Sequence, residues 1–569
     1  MLYRSTRGHS SGLSFEDAVF AGLAPDGGLY VPHAIPTATP AQLAAWKDVP
    51  FPDLATSIFR LFIAQDEIPD ADLADIVRRS FATFSSPDVT PLTKLPNVDA
   101  PPPLSSPTAT TANNKSDLAN LYVLELFHGP TFAFKDVALQ VLGNLFEYFL
   151  ERKNRAAAAA GKNKNNYGIT VLGATSGDTG GAAIYGLRGK NNVDVFILHP
   201  KGRISDVQRQ QMTSVLDPNV HNIALEGTFD DCQDIVKAAF SDQPFRTRFH
   251  LAAVNSINWA RILAQTSYYF YSYFALARRI GDDAARVQYC VPTGNFGDVL
   301  AGYYAVRIGL PIARLIVATN ENDILHRFFQ TGTYEKKRTA SGEEKVKATL
   351  SPAMDILVSS NFERLLWYLA RGDGRSAAAA AASADEEEPA AQSASKCIVE
   401  WMNALKTTGG FSVPADLHAR ARELFDSFCT SDAMTTDAIR RYYHHRYTPG
   451  ATAHYVLDPH TAVGVVAAEQ IVSTAGKGAA APTYTVCLST ASPGKFPDAV
   501  LEAINDAKTK PQGFEPITYA SFAPPQLVAL KGLPTRCVDV TNDGGDAGIA
   551  LEKVRAVLEG VVGAKFPKQ

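Results

Sequence analysis

Six cysteines in 569 residues, with no CxxC pair, leave little from which to build a disulfide frame or a zinc site. Cys232, Cys290, Cys397, Cys429, Cys487 and Cys537 lie far apart and read as reduced, mostly buried thiols of a cytoplasmic protein. Excess charge is missing too. A net charge of −4 and a pI near 6.3 provide no electrostatic footprint for nucleic acid or an anionic membrane. No run of about 18 uninterrupted apolar residues occurs, and the opening MLYRSTRGHSSG has no apolar leader core, so neither a membrane span nor a secretory signal is expected. The glycine-rich loops match neither G-x-G-x-x-G nor the P-loop, which argues against a nicotinamide enzyme and an NTPase. What is present is an ordinary globular composition, 46% hydrophobic and 20% charged, in a chain long enough for two or three domains.

The chain divides by composition. Residues 1–97 have helix-period apolar runs such as Leu54–Ala64 and read as an N-terminal, mostly helical domain. Residues 98–118, rich in Pro, Ser, Thr and Asn, cannot bury enough apolar surface to order themselves and read as a flexible insertion. Residues 119–265 form a smaller α/β domain, broken by a polar connector at Ala156–Asn166. Residues 266–569 form a larger one, with a solvated, disordered insertion at about 376–396. Strands expected at Tyr167–Ala174, Val193–His199, Val287–Pro292, Ala313–Thr319, Ala453–Val456 and Tyr484–Leu488 alternate with helical segments. That alternation implies parallel sheets covered on both faces.

The chemistry concentrates in Leu121–Gln140, LYVLELFHGPTFAFKDVALQ. An apolar strand enters a His128-Gly129-Pro130 turn, and Lys135 then stands at the mouth of an apolar helix. A helix N-terminus disfavours an ammonium by roughly 0.3–1 kcal/mol. Phe132, Ala133 and Phe134 add desolvation, which also favours the neutral amine. A neutral amine is what imine formation with an aldehyde cofactor requires. Downstream, Thr293–Gly297 is a glycine loop between strand and helix, suited to a phosphate monoester through freed backbone N–H groups. Ser176–Thr179 offers donors at another helix start, where a carboxylate would sit well and where simple N-capping is the plainer alternative. Ser489–Lys495 follows the last long strand with a hydroxyl, Thr490, and a cation, Lys495. Each loop alone says little. Together they are the parts of a pyridoxal phosphate enzyme acting on an amino acid. His128 and His460 read as turn histidines with structural partners, and Cys290 as a small core hydrophobe.

The stretches YRSTRG (Tyr3–Gly8), GLAPDGGLYVP (Gly22–Pro32), FHGPTFAFKDVALQ, GATSGDTGGAA (Gly173–Ala183), NSINWARILAQ (Asn255–Gln265) and PTGNFGDVLAGYYA (Pro292–Ala305) resemble, in order, the fungal and enteric-bacterial threonine synthase family. The resemblance implies the tryptophan synthase β-like fold (pyridoxal phosphate fold type II), an α/β class with parallel and mixed sheets flanked by helices plus the N-terminal helical domain. It implies that Lys135 binds pyridoxal 5'-phosphate covalently and then shuttles protons. Gly294, Asn295, Phe296 and Gly297 would bind the cofactor phosphate, Asp298 would support them, and Thr490 would meet the pyridine nitrogen. Ser176, Gly177, Asp178 and Thr179 would lie along the substrate carboxylate. Ser256 and Arg261 would receive the substrate phosphate, with Asn258 and Lys495 as weaker candidates for the same anion. No metal is implied. The implied reaction converts O-phospho-L-homoserine and water into L-threonine and phosphate, the last step of threonine biosynthesis, in a monomer or small homo-oligomer. One departure stands out. Where the family often shows Ala-His-Pro-Ala-Lys-Phe, this chain has Ala491-Ser492-Pro493-Gly494-Lys495-Phe496, so no imidazole role carries over.

Two rival functions share these residues. A phospholyase would eliminate the same phosphate but release a 2-keto acid and ammonia, and product analysis separates it from a synthase. A catalytically silent cofactor-binding relic would be colourless and unlabelled at Lys135 by borohydride.

Overall fold

The computed structural model describes residues 1–99, 119–161, 167–338, 342, 344–373, 384–448, 451, 453–474, 482–542 and 547–566. Two sheets carry the architecture. The larger is six-stranded, in the order Phe425–Cys429, Ile312–Thr319, Arg286–Pro292, Thr483–Ser489, Leu121–Glu125, Leu92–Lys94. All its pairs are parallel except the last, where Leu92–Lys94 runs antiparallel to Leu121–Glu125. The smaller is five-stranded and parallel throughout, in the order Val538–Val540, Val220–Leu225, Val193–Pro200, Ile169–Ala174, Leu251–Ala252. Val193–Pro200 is buried at every position, the unbroken apolar run of a strand covered on both faces.

One face of the larger sheet packs Cys290, Ile316 and Cys487 against Ala438, Ile439, Val463 and Val466 of the helices Asp432–His444 and Pro459–Thr474. The other packs Tyr289 and Leu315 against the aromatic stripe of the helix Trp259–Ile280. The smaller sheet covers Phe196, Ile223 and Val540 with the helices Phe229–Ser241 and Ala547–Val562.

The sheets cut across the expected partition at 119–265 and 266–569. Leu121–Glu125, assigned by sequence to the smaller domain, pairs instead with Thr483–Ser489 in the larger sheet. Val538–Val540, near the far end of the chain, returns to the smaller sheet beside Val220–Leu225. Strand order depends on pairing between distant segments, which local composition does not encode. The N-terminal region is not purely helical either. Tyr3–Ser5, Ser11–Leu13 and Tyr30–Pro32 form an antiparallel sheet among the helices Phe15–Ala21, Pro40–Trp46, Phe51–Arg60 and Asp70–Phe81.

The alanine- and glutamate-rich stretch read as a solvated insertion at 376–396 is helical from Ala384, in a helix that runs to Thr407. Ala391 and Ala394 are buried, and the Trp367 indole N–H donates to Ser395 Oγ at 3.1 Å. Alanine's helix propensity and its small side chain let this segment pack where its overall polarity suggests exposure. The connector at 156–166 is likewise helical through Ala159. Ala453–Val456 forms no strand. Residues 162–166 of the connector, 376–383 of the alanine-rich stretch and 100–118 of the expected flexible insertion lie outside the described residues.

One contact sets the register between the two units. The helices Lys135–Ala159 and Asp178–Leu187 touch through glycines, because a Cβ on Gly143 would lie 2.0 Å from the Gly186 carbonyl oxygen and one on Gly186 2.4 Å from that of Leu139. Each glycine is eight residues from its helix start (135 to 143, 178 to 186), so the two N-termini stand level, Lys135 beside Asp178. Gly186→Ala is therefore expected to destabilise the fold by about 1–3 kcal/mol through overpacking against backbone. Gly560→Ala, on a helix position with open space around it, should be neutral or mildly stabilising. Thermal unfolding of both variants checks the pair, and equal behaviour would remove the contact from this account.

Candidate active site

Three neighbouring parallel strands, Arg286–Pro292, Thr483–Ser489 and Leu121–Glu125, release their loops at the same carboxyl edge of the larger sheet. Those loops are Thr293–Gly297, Thr490–Lys495 and the turn leading to Lys135. Ligands of open α/β sheets bind in the crevice beyond such strand ends. The lysine turn is laced to the Thr490 loop by three backbone bonds: Leu126 N–H to Ser489 O at 3.0 Å, Phe134 N–H to Thr490 O at 2.8 Å, and Ser492 N–H to Phe132 O at 3.0 Å. Phe132 holds a left-handed φ of 58°, a conformation that costs a non-glycine residue about 1 kcal/mol or more. Ser492, where the family often has histidine, accepts from Gly494 N–H and caps the short turn Pro493–Lys495.

Lys135 is the first residue of its helix and is 9% exposed. Its Nζ lies 3.8 Å from Asp178 Oδ2 and 5.2 Å from the centre of the Phe134 ring. Burial lowers its pKa; Asp178 opposes that effect, while Lys495 and Arg261 add to it. Asp178 begins the facing helix. Burial would push its carboxyl up, but Lys495 and then Lys135 outweigh that and hold it well below the usual carboxylate range. Asp136, fully buried, accepts from Thr131 N–H and Oγ1–H at 2.7 Å each, and burial raises it to about 6.

The glycine loop has its carbonyls tied backward. Gly294 O accepts from Ser359 Oγ at 2.7 Å, and Asn295 O accepts from Asn361 N–H at 3.1 Å and Nδ2 at 3.0 Å. The N–H groups of residues 294–297 meet no acceptor among the described residues, and the first helical bond beyond them is Leu300 N–H to Phe296 O. Phe296 stands at φ 61°, which turns successive N–H groups toward one spot. A Cβ on Gly294 would lie 2.9 Å from Ala353 O, so glycine is required there. The segment around Ala353 is itself held by His460, whose Nε2 accepts Ala353 N–H at 3.2 Å while Nδ1 lies 3.0 Å from Asp458 Oδ1. Asp298, in the first turn of the helix Gly297–Ile308, accepts from Tyr268 and Tyr269 hydroxyls. Its Oδ2 is buried without a partner, and burial raises the carboxyl to about 7.

Arg261 is 3% exposed, and among the described residues it makes no carboxylate pair. One Nη1 bond reaches Val254 O at 3.0 Å, Nε has no partner, and burial lowers the guanidinium to about 10. Its neighbour Ile262 faces Gly297, where an added Cβ would stand 3.5 Å away, so the cation lies on the helix that lines the glycine loop. A buried guanidinium lacking a counter-ion is the electrostatic signature of an anion site.

Two expected substrate ligands are already engaged. Asn258 is the N-cap of its helix, accepting from Ala260 N–H at 3.1 Å and donating Nδ2 to Val19 O at 2.8 Å, so its carboxamide is spent on structure. Lys495 is fully buried and bound to Asp178 Oδ1 at 2.9 Å, turned toward the start of the helix Asp178–Leu187. Ser256 is half-buried, its carbonyl accepting from Asn361 Nδ2 at 3.1 Å. Gly177 holds φ 139°, with any Cβ 2.4 Å from the Gln208 side chain; its N–H and that of Gly180 donate to Thr175 Oγ1. Ser176 is exposed and Thr179 half-buried. Thr490 is 7% exposed at the end of its strand. His128 pairs with Glu125 at 2.7 Å, a structural contact.

Sequence reasoning passed over Ser359, Asn361, His460 as a clamp on Ala353, and Gln208 with Gln211. None carries a local signal, since each acts on a loop far away in the chain. Among the described residues no group of three or more His, Cys, Asp or Glu side chains could hold a metal, and no helix is long and apolar enough to cross a membrane.

Three family models match the chain: "Threonine synthase N terminus" over residues 2–81, "Pyridoxal-phosphate dependent enzyme" over 89–397, and "Threonine synthase, C-terminal" over 461–549. The chain is 50% identical to the threonine synthase of Saccharomyces cerevisiae over 511 residues, 89% of each protein. It is 43% identical to that of Pseudomonas aeruginosa over 558 residues, 98% of each. Its structure is similar to the crystal structure of the yeast enzyme, with a TM-score of 0.82 at 46% identity over 98% of this chain and 99% of that one. It is also similar to a pyridoxal-phosphate-bound threonine synthase from Brucella melitensis, with a TM-score of 0.76 at 38% identity over the same shares. With a buried lysine at a helix start, a glycine loop two strands away at the same sheet edge and these matches along nearly its whole length, the chain belongs to the threonine synthase family of pyridoxal-phosphate-dependent lyases, fold type II.

Proposed function

We propose that this chain converts O-phospho-L-homoserine and water into L-threonine and inorganic phosphate, as a cytoplasmic monomer or small homo-oligomer. The observation that carries the reading is two separate sets of unmatched donors among the described residues: the N–H groups of residues 294–297, and the buried guanidinium of Arg261, which has no carboxylate partner. A phosphorylated cofactor needs one, and a phosphorylated substrate needs the other.

The residues present fit pyridoxal phosphate. The loop at 294–297 would receive its phosphate, Lys135 its aldehyde, and Thr490 its ring nitrogen. When bound, the cofactor supplies a conjugated ring that takes up electron density from the substrate's Cα. The chain supplies the rest. Arg261, with Ser256 beside it, orients the Cγ phosphate through its planar fork of donors. The donors of Ser176 and Thr179 would lie along the substrate carboxylate, while Gly177, whose N–H is held by Thr175 Oγ1, shapes the turn between them. Lys135 Nζ, uncharged, takes the Cα proton and moves protons among Cα, Cβ and Cγ. Overall, the Cγ–O bond breaks, a Cβ–O bond to water forms, and Cγ ends as a methyl group. Asp298 in its protonated form lets a phosphate dianion share the helix start without a facing negative charge, and its unpartnered Oδ2 lies on a protonatable carboxyl.

Purified chain with pyridoxal phosphate should release phosphate and threonine from O-phospho-L-homoserine in equal amounts; a keto acid as main product would replace the reading with a phospholyase. Lys135→Ala is expected to lower turnover by at least about 10³-fold while retaining loose cofactor binding. Arg261→Ala should lower kcat/KM for the phosphorylated substrate by about 100-fold, the scale of losing a buried charge-assisted contact, and unchanged kinetics would remove its role. Asp298 carries a pH signature. Its folded pKa of about 7 exceeds the ordinary value of 3.8, so between those values the folded state holds a proton the unfolded chain has released. Stability therefore falls as pH rises through that window and stays lower above it. Asp298→Asn should be more stable than the parent at pH 8 by on the order of 4 kcal/mol, with the difference vanishing near pH 4. Denaturant unfolding at the two pH values measures it.

A further inference from the structure

Lys135 does not face a lone counter-ion. Asp178 stands between two lysines, and the second, Lys495, is completely buried. The donors of an ammonium number three, and those of Lys495 have three acceptors: Thr131 O at 2.8 Å, Gln211 Oε1 at 3.0 Å and Asp178 Oδ1 at 2.9 Å. Gln211 is oriented for this, because its Nε2 donates to the same Thr131 carbonyl at 3.2 Å and its oxygen is left for the lysine. Gln208 Nε2 donates to Asp178 Oδ1 at 3.0 Å and locks that carboxylate toward Lys495. Lys135 receives only Asp178 Oδ2 at 3.8 Å, beyond hydrogen-bond reach.

We propose that Lys495 is a positioning residue for the reacting amine: it monopolises the Asp178 carboxylate and, as the fully hydrogen-bonded cation of the pair, leaves Lys135 as the lysine that gives up its proton. The charged groups around Lys135 are Asp178, Lys495, Arg261 and Asp136. With both lysines and Arg261 ionised, the dry crevice would hold three cations against Asp178 and an Asp136 whose own carboxyl is raised. One proton is therefore shed, and geometry selects the amine with no bonded acceptor. Lys495 comes from the loop after the last long strand of the larger sheet, and Asp178 and Gln211 from helices of the smaller unit. The proton state of Lys135 is thus coupled to the apposition of the two units. This assigns Lys495 a task different from substrate-phosphate binding. It rests on Lys135 being the amine that reacts.

The test reads amine acidity on the full-length chain freed of cofactor, by trace acetylation with acetic anhydride across pH, scored peptide by peptide by mass spectrometry. In the parent, Lys135 should label with a midpoint below the ordinary lysine value of 10.5, as the amine with no bonded acceptor. In Lys495→Met the carboxylate is released to Lys135, so the Lys135 midpoint should rise by at least one unit. In Lys495→Met combined with Asp178→Asn no carboxylate remains to pair, and labelling at fixed pH should return to within about threefold of the parent. A Lys135 midpoint unmoved or lowered in Lys495→Met, or a parent Lys135 midpoint at or above the ordinary lysine value, would overturn the proposal. The parent comparison needs no variant to fold. Borohydride fixation of pyridoxal phosphate, mapped to its peptide, decides independently whether Lys135 is the reacting amine.

Discussion

An ammonium taken out of water must recover its lost solvation from partners, and at Lys135 the partners are withheld. The side chain is buried, the helix start behind it is electropositive, and the nearest carboxylate, Asp178, is hydrogen-bonded to Lys495. The chain thus shifts Lys135 toward the neutral amine by geometry instead of by a general base. Everything else in the crevice is arranged around that condition. The Phe132 strain and the three backbone links to the Thr490 loop hold the lysine where desolvation is enforced, and a small displacement toward solvent would restore the charge.

The larger architecture explains how such placement is reached with short-range parts. Three adjacent parallel strands deliver three loops to one edge, so groups separated by hundreds of residues meet without long, floppy connections. A glycine-to-glycine helix contact brings the smaller unit's helix start level with the lysine helix, since only backbone against backbone allows that closeness. The same economy appears behind the glycine loop. Ser359, Asn361 and His460 occupy the loop's carbonyls or clamp its neighbour, which leaves the N–H edge facing the crevice.

The N-terminal unit takes part in this from a distance. Thr6 and Arg7 bind Glu363, and the next residue, the fully buried Arg364, donates to Tyr30 O, Ile257 O and Asn361 Oδ1. Trp259 Nε1 donates to the Tyr3 hydroxyl, which in turn donates to Phe62 O. The YRSTRG and GLYVP stretches, which carry no chemistry, are therefore parts of the frame that holds Asn361 against the glycine loop.

Local sequence determined much of this. The strand, turn and helix around Lys135 and the glycine loop between strand and helix at Thr293–Gly297 follow from residues within a few positions of one another, and their physics is short-ranged. Tertiary structure alone decided which sheet Leu121–Glu125 joins, that Ala384–Thr407 folds onto the core, and that Lys495 faces Asp178 instead of an incoming anion. A side chain's type sets what it can do, but its partners come from segments tens to hundreds of residues away, brought in by strand pairing and helix packing that no local pattern encodes.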